Sequence, residues 1–164
     1  MINQMKKLFT NFQQLSKKTK VLFGVFLLLI IFTRFFNLSG TARFTRDESS
    51  DLARMHEYYV NKQISLVGPI SSERDKVFSS LSYYLIMPFA IAGDFTPVSP
   101  VYGMAFFGVI TAIFLLLLVK KINSKYLLLA GTLIIVWFPL LIVSRWAWNP
   151  HFVIFLGCIS FTII

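Results

Sequence analysis

Cysteine is almost missing from this sequence: Cys158 stands alone, inside an apolar run. One thiol cannot close an intramolecular disulfide, so a disulfide-stapled fold is excluded, and Cys158 reads as a small packed hydrophobe. Histidine is nearly as scarce. His56 and His151 have no ligand spacing with each other or with the cysteine, so a structural zinc site has no support. No Gly-rich phosphate loop, HExxH or GxSxG pattern occurs. Acid is short as well. Seven Asp and Glu face sixteen Lys and Arg, and all the acids lie between Asp47 and Asp94. Charge of either sign is only 14% of the chain, against 56% hydrophobic and 16% aromatic residues. That composition, in long apolar runs, excludes a soluble domain and points to a polytopic membrane protein.

What charge there is sits at the ends of the runs. Residues 1–20 carry Lys6, Lys7, Lys17, Lys18 and Lys20 and no acid. Residues 38–77 are neutral, with six basic and six acidic groups. Lys120, Lys121 and Lys125 form a second basic cluster without acid. Basic clusters that flank hydrophobic runs report membrane topology rather than nucleic-acid binding, and place both clusters in the cytoplasm.

In chain order, residues 1–20 form a cytoplasmic basic N-terminus. Residues 21–38 form the first span, roughly 27 Å as a helix. A signal peptide cleaved near Ser39-Gly40 is the rival reading, disfavoured by the length of the run and by Arg34 near its end. Arg34 is expected to snorkel to the headgroups, or else to place a cation near an outer site. Residues 39–97 make the first outer loop. Within it, Thr45-x-x-Glu48 is a capping-box pattern that opens an amphipathic helix over 46–60. Its apolar face is expected to hold Leu52, Ala53, Met55, His56, Tyr59 and Val60, with Asp47, Asp51 and Arg54 opposite.

Residues 61–76 read as loop, and 78–93 as a juxtamembrane helix. If 78–93 crossed the bilayer, Lys120 and Lys121 would face outward, against the positive-inside rule. The second span covers 98–119, a cytoplasmic loop 120–125, and the third span 126–143, kinked near Pro139. An outer loop follows at 144–151, and 152–164 begins a fourth span. The run to Ile164 has no polar stop, so the chain is expected to be the N-terminal part of a longer one. The expected fold class is all-α: a polytopic membrane helical bundle, with interfacial helices in the first outer loop.

Asp47-Glu48 is the leading chemical candidate. A carboxylate at a membrane surface can take a proton from a hydroxyl, or hold a divalent cation against a phosphate. Helix capping accounts for Glu48 but gives Asp47 only a favourable dipole charge. Arg145, with Trp146 and Trp148, reads either as an interfacial belt with a lipid contact or as an arginine aimed at a phosphate beside apolar or sugar-stacking walls. Lys76 could neutralise a phosphate or pair with Glu73 or Asp75. His56 is expected to pack or snorkel.

The order of these parts resembles the N-terminal part of bacterial polyprenyl-phosphate-dependent glycosyltransferases of the GT-C fold. Such enzymes include the protein O-mannosyltransferases and the lipid A aminoarabinose transferase. The resemblance runs through Phe44-Thr45-Arg46-Asp47-Glu48. It continues through the Tyr-rich segment from Leu81-Ser82-Tyr83-Tyr84-Leu85 to Pro88 and Gly93, and through Ser144-Arg145-Trp146-Ala147-Trp148-Asn149-Pro150. The chain departs from the family at Val77-Phe78-Ser79-Ser80-Leu81, where Lys/Arg-Pro-Pro-Leu is common, and at Asn149, where an acid is common.

The resemblance implies an inverting transfer of a sugar from a polyprenyl-phosphate donor to a hydroxyl of a lipid, glycan or protein acceptor. It implies Asp47 as the general base and Glu48 as its acidic neighbour, with Lys76, Arg145, Trp148 and Asn149 as substrate-binding residues. No bound metal is implied; a divalent cation is the one cofactor the acids would suit. The setting implied is a bacterial plasma membrane, with the N-terminus cytoplasmic, the site on the outer face, membrane lipids as surroundings and no nucleic-acid partner. Alone, this stretch is expected to be inactive. The alternatives are a lipid transporter or flippase segment with Arg34 and Arg145 along its path, and a non-catalytic membrane protein whose outer loop recruits a partner. The span centres, almost free of charge, disfavour the transporter.

Overall fold

Residues 99–122 hold a long apolar stretch with charge only at its C-terminal end, and they form the longest helix. The computed structural model describes residues 16–70 and 76–163. In chain order the helices are α1 (Lys17–Phe35), α2 (Leu38–Thr41), α3 (Arg46–Val60), α4 (Leu81–Ala92), α5 (Ser99–Ile122), α6 (Leu127–Val136), α7 (Phe138–Val143) and α8 (Phe152–Ile163). Two strands, β1 (Val67–Ile70) and β2 (Val77–Ser79), and two short 3-10 turns complete the described chain. The fold is predominantly helical. Among the described residues α5 is the one helix both long and apolar enough to cross a bilayer, at roughly 36 Å. α1 is 19 residues long but carries Lys17, Lys18 and Lys20 at its start and Arg34 near its end.

α5 is the shared wall of two apolar clusters. At its N-terminal half, Met104 and Phe107 meet Leu52 and Met55 of α3, Tyr83, Ile86 and Ala90 of α4, and Phe152 of α8. At its C-terminal half, Ala112 and Leu116 meet Phe23, Phe26 and Ile30 of α1 with Leu127 and Ile134 of α6. Glycine permits two close approaches. A Cβ at Gly108 would lie 2.2 Å from Ser144 Cβ, and one at Gly103 would lie 2.8 Å from Ile86 Cδ1. Pro100 in the first turn and Lys120–Lys121 in the last suit the ends of α5, where a missing amide costs nothing and cations meet the helix dipole.

Several boundaries differ from expectation. The run 21–38 is not one helix: α1 stops at Phe35, the chain turns at Asn37 with φ 49°, and α2 follows. The stretch read as loop contains β1, which pairs antiparallel with β2 in register Val67↔Ser79 and Ile70↔Val77. One extra residue on β1 makes a bulge at Gly68-Pro69, where the missing amide of proline is tolerated. Residues 77–79 are therefore strand, and α4 starts at Leu81. At 12 residues, or roughly 18 Å, α4 is too short to span.

The run 126–143 is broken as well. Pro139 cannot donate to the carbonyl of Ile135 and its ring crowds it, so α6 ends two residues earlier, at Trp137 (ψ 108°), and α7 restarts. The burial of α3 is rotated from the expected face. Glu48, Asp51, Leu52 and Met55 point inward, while Ala53, His56, Tyr59 and Val60 are exposed. Residues 1–15, with Lys6 and Lys7, and Glu73, Arg74 and Asp75 lie outside the described residues.

Candidate functional site

The start of α3 meets the segment between α7 and α8. Arg43 bridges Trp146 through the backbone, and its guanidinium lies 5.2 Å from the Trp146 ring centroid. Trp146 stacks on Trp148 at 5.1 Å and 11°, and His151 stands edge-on to both indoles. His151 is buried, its Nδ1 lies 3.0 Å from the Trp146 carbonyl, and burial holds its pKa below the ordinary value. Trp148 is 36% exposed at the rim.

Glu48 and Asp51 are three residues apart on one helical face, and both are buried, at 3% and 8% exposure. Glu48 Oε2 accepts the Thr45 amide at 2.6 Å, its half of the capping box, and accepts the Thr45 hydroxyl as well. Its other oxygen, Oε1, accepts Trp146 Nε1–H at 2.8 Å. Asp51 Oδ1 accepts Tyr83 O–H at 2.7 Å, and Oδ2 accepts Asn149 Nδ2–H at 2.9 Å. Burial pushes the Asp51 carboxyl above its ordinary value, against the pull of these two hydrogen bonds and of Arg54. Burial and the Asp51 carboxylate together push the Tyr83 phenol upward, which keeps it a donor.

The cleft lined by Glu48, Asp51, Ser82, Tyr83 and Asn149 leaves about 20 Å³, room for a water molecule and not for a sugar ring. Asp47, one position away, turns outward. Its carboxylate is exposed in the first turn of α3 and carries no hydrogen bond from the described residues. Of the three acids at this corner, Glu48 and Asp51 are engaged in holding α3 against its neighbours. Asp47 is exposed.

The structure brings Asp47, Glu48, Trp148 and Asn149 to one corner. Arg145 lies nearby but is committed elsewhere. It donates to the carbonyls of Thr33 at 2.7 Å and Phe36 at 2.9 Å, and to the Thr41 hydroxyl. Arg34 does not snorkel. It is fully buried and donates to the Ile134 carbonyl at 2.6 Å and the Thr33 hydroxyl at 2.8 Å. Lys76 is exposed at the entry to β2. Among the described residues no group of three or more His, Cys, Asp or Glu is placed to hold a metal ion.

Asp51 and Tyr83 were not singled out from the sequence as site residues. The available signal was the i, i+3 spacing of Glu48 and Asp51, which puts the two acids on one face. Comparison with family models, with curated proteins and with solved structures finds no match to this chain.

Proposed function

We propose that this chain is part of an integral-membrane glycosyltransferase that moves a sugar from a polyprenyl-phosphate donor to an acceptor hydroxyl at the membrane surface. The observation that supports it is the exposed carboxylate of Asp47 in the first turn of α3, next in the chain to Glu48, which accepts the Trp146 indole N–H. Asp47 accepts the proton of the acceptor hydroxyl, and the freed oxygen attacks C1 of the sugar. The bond from C1 to the phosphate oxygen breaks, its electron pair leaves with the lipid phosphate, and C1 is inverted. The exposed Trp148 offers an indole face against which a sugar can lie, a contact that indoles make with apolar ring faces.

The reading assigns the bilayer to the apolar helices and the site to the face away from Lys120 and Lys121. Arg145 serves the site by holding its loop, since the described acceptors already occupy its guanidinium. The test is Asp47→Asn in the protein containing this chain, assayed for sugar transfer from a polyprenyl-phosphate donor in membranes. Transfer should be abolished with membrane insertion unchanged. Wild-type transfer by that variant overturns the reading.

A further inference from the structure

α3 ends on a lysine where a helix usually ends on glycine. Its cap is Asn61, and Lys62 follows with φ 52°, in the left-handed region. The Lys62 amide donates to the Tyr59 carbonyl at 3.3 Å and the Gln63 amide to the Tyr58 carbonyl at 3.0 Å, the paired bonds of a Schellman turn. A side chain at this position strains the backbone, and strain of this kind gathers at ligand sites. The turn brings Lys62 and Gln63 back into the lining of a groove between the end of α3 and α4.

The groove holds about 530 Å³, within the range of small-molecule sites. Tyr58, Tyr59, Tyr84 and Met87 line it together with Lys62 and Gln63. The aromatic walls are held in place. Tyr58 stands T-shaped to Tyr83 at 6.2 Å, Tyr59 packs on Phe95 at 5.5 Å, and Tyr84 donates its hydroxyl to the Ser65 carbonyl at 2.7 Å. Other polar groups of the lining are uncommitted. The Tyr58 and Tyr59 hydroxyls, the Gln63 side-chain amide and the Lys62 ammonium have no hydrogen bond or ion pair among the described residues.

That lining selects a ligand. Tyrosine rings offer flat apolar faces, and the hydroxyls, amide and ammonium offer donors around them. The combination suits a sugar, which is apolar on its C–H faces and polar at its hydroxyls. Lys62 is the one charge in the lining, and no acid joins it. It therefore matches one anionic group. The groove also sits at the C-terminal end of α3, the negative end of the helix dipole, which opposes a ligand with several negative charges, such as a nucleotide. A single carboxylate fits this balance.

We propose that the groove between the end of α3 and α4 binds an acidic sugar, its ring against the tyrosines and its carboxylate on Lys62. This much stands on the groove itself. A second step rests on the transferase reading above: the acidic sugar belongs to the acceptor. Tyr58 follows Asp47 by about three turns on nearly the same face of α3, roughly 16 Å along the helix, a reach of a few sugar units.

The test uses the protein containing this chain, purified in a detergent without a sugar headgroup. The probes are trigalacturonate, its methyl ester (which keeps the rings and removes the charge) and uridine monophosphate. Saturation-transfer NMR gives the dissociation constants. Trigalacturonate should bind about tenfold more tightly than the ester, the size of one charge-assisted hydrogen bond. Lys62→Gly relieves the positive φ, so it should melt at an equal or higher temperature and yet erase that preference. Tyr58→Ala should weaken the binding of both sugars, and Trp148→Ala of neither. No binding of trigalacturonate, equal binding of acid and ester, or tighter binding of uridine monophosphate overturns the proposal. So does a preference that survives Lys62→Gly, or binding lost in Trp148→Ala and kept in Tyr58→Ala. These readouts need no sugar transfer. Binding of the acid beside wild-type transfer by Asp47→Asn keeps the groove and removes its acceptor role. Transfer lost in Asp47→Asn with no binding of the acid overturns the groove and leaves the transferase reading intact.

Discussion

Arg34 and Arg145 cap each other's helices. Arg34, in the last turn of α1, donates to the Ile134 carbonyl left open where α6 breaks. Arg145, just beyond α7, donates to the Thr33 and Phe36 carbonyls left open where α1 ends. The last carbonyls of a helix have no partner within it, and in apolar surroundings no water replaces one. The two guanidiniums clasp α1 to the α6–α7 pair, and a planar fork with five donors can serve several carbonyls at once where an ammonium cannot.

Arg145→Lys should therefore lower stability, and Arg145→Ala should lower it further, by about 1.5–3 kcal/mol for the charge-assisted bonds lost. Thermal unfolding of the purified chain in detergent micelles measures this. If Arg145 instead acted on a donor phosphate, Arg145→Lys would unfold with the wild type and alter only KM for the donor.

Glu48 offers a second link across the chain. It joins the start of α3 to Trp146 while closing its own helix cap. Glu48→Ala should cost about 2 kcal/mol or more, since it removes a cap and orphans a buried indole N–H. Trp146→Phe should cost less once Glu48 is already alanine. The double-mutant cycle should give a coupling of about 1 kcal/mol, and strict additivity would show that the contact contributes nothing.

Asp51 predicts a pH dependence. Its native carboxyl lies above the 3.8 of a free aspartate, so the folded chain keeps a proton that the unfolded chain has released. Stability from this group therefore falls as pH rises from about 3.8 through the native value, then levels off. Asp51→Asn should flatten that slope, because an amide does not titrate in this range, while its one carbonyl oxygen still accepts from one of the two donors, Tyr83 or Asn149. Asp51→Ala should be less stable than Asp51→Asn at every pH, by about 1–3 kcal/mol for each donor left unpaired. Urea unfolding of the three proteins between pH 4 and 7 separates the cases.

The sequence carried the helix of 46–60 plainly, because a capping box and an amphipathic period mark the same residues. It placed the apolar face about one position off. Ala53, His56, Tyr59 and Val60 form as plausible a stripe as the one observed, and only packing against Tyr83 and Asn149 turns Asp51 inward. No periodicity rule expects a carboxylate on a buried face, because its partners lie 32 and 98 residues away. The break at Trp137 was legible as a kink at Pro139 but not as two helices, since the carbonyl it frees is satisfied by Arg34 from another helix. The hairpin was hidden by the Gly68-Pro69 bulge, which interrupts strand alternation where the sequence reads as turn.

The close approach of α5 to the end of α7 ties the helical scaffold to the Asp47 corner. A Cβ at Gly108 would lie 2.2 Å from Ser144 Cβ and 3.3 Å from its Cα, so Gly108→Ala must push the backbone at Ser144 away. Ser144 leads directly into Arg145 and Trp146, so the displacement should loosen both the clasp on α1 and the indole bond to Glu48. Overpacking of this kind costs about 1–3 kcal/mol. Gly24→Ala is the matched control, since a Cβ there meets nothing within 4 Å, and alanine is favoured over glycine in a helix by about 0.5–1 kcal/mol. Gly108→Ala should lower the unfolding midpoint and shift the tryptophan emission to longer wavelength, while Gly24→Ala leaves the emission unchanged and the midpoint equal or higher. If both variants match the wild type, α7 is free to move without disturbing the 145–151 segment, and the approach at Gly108 does not set the geometry of that segment.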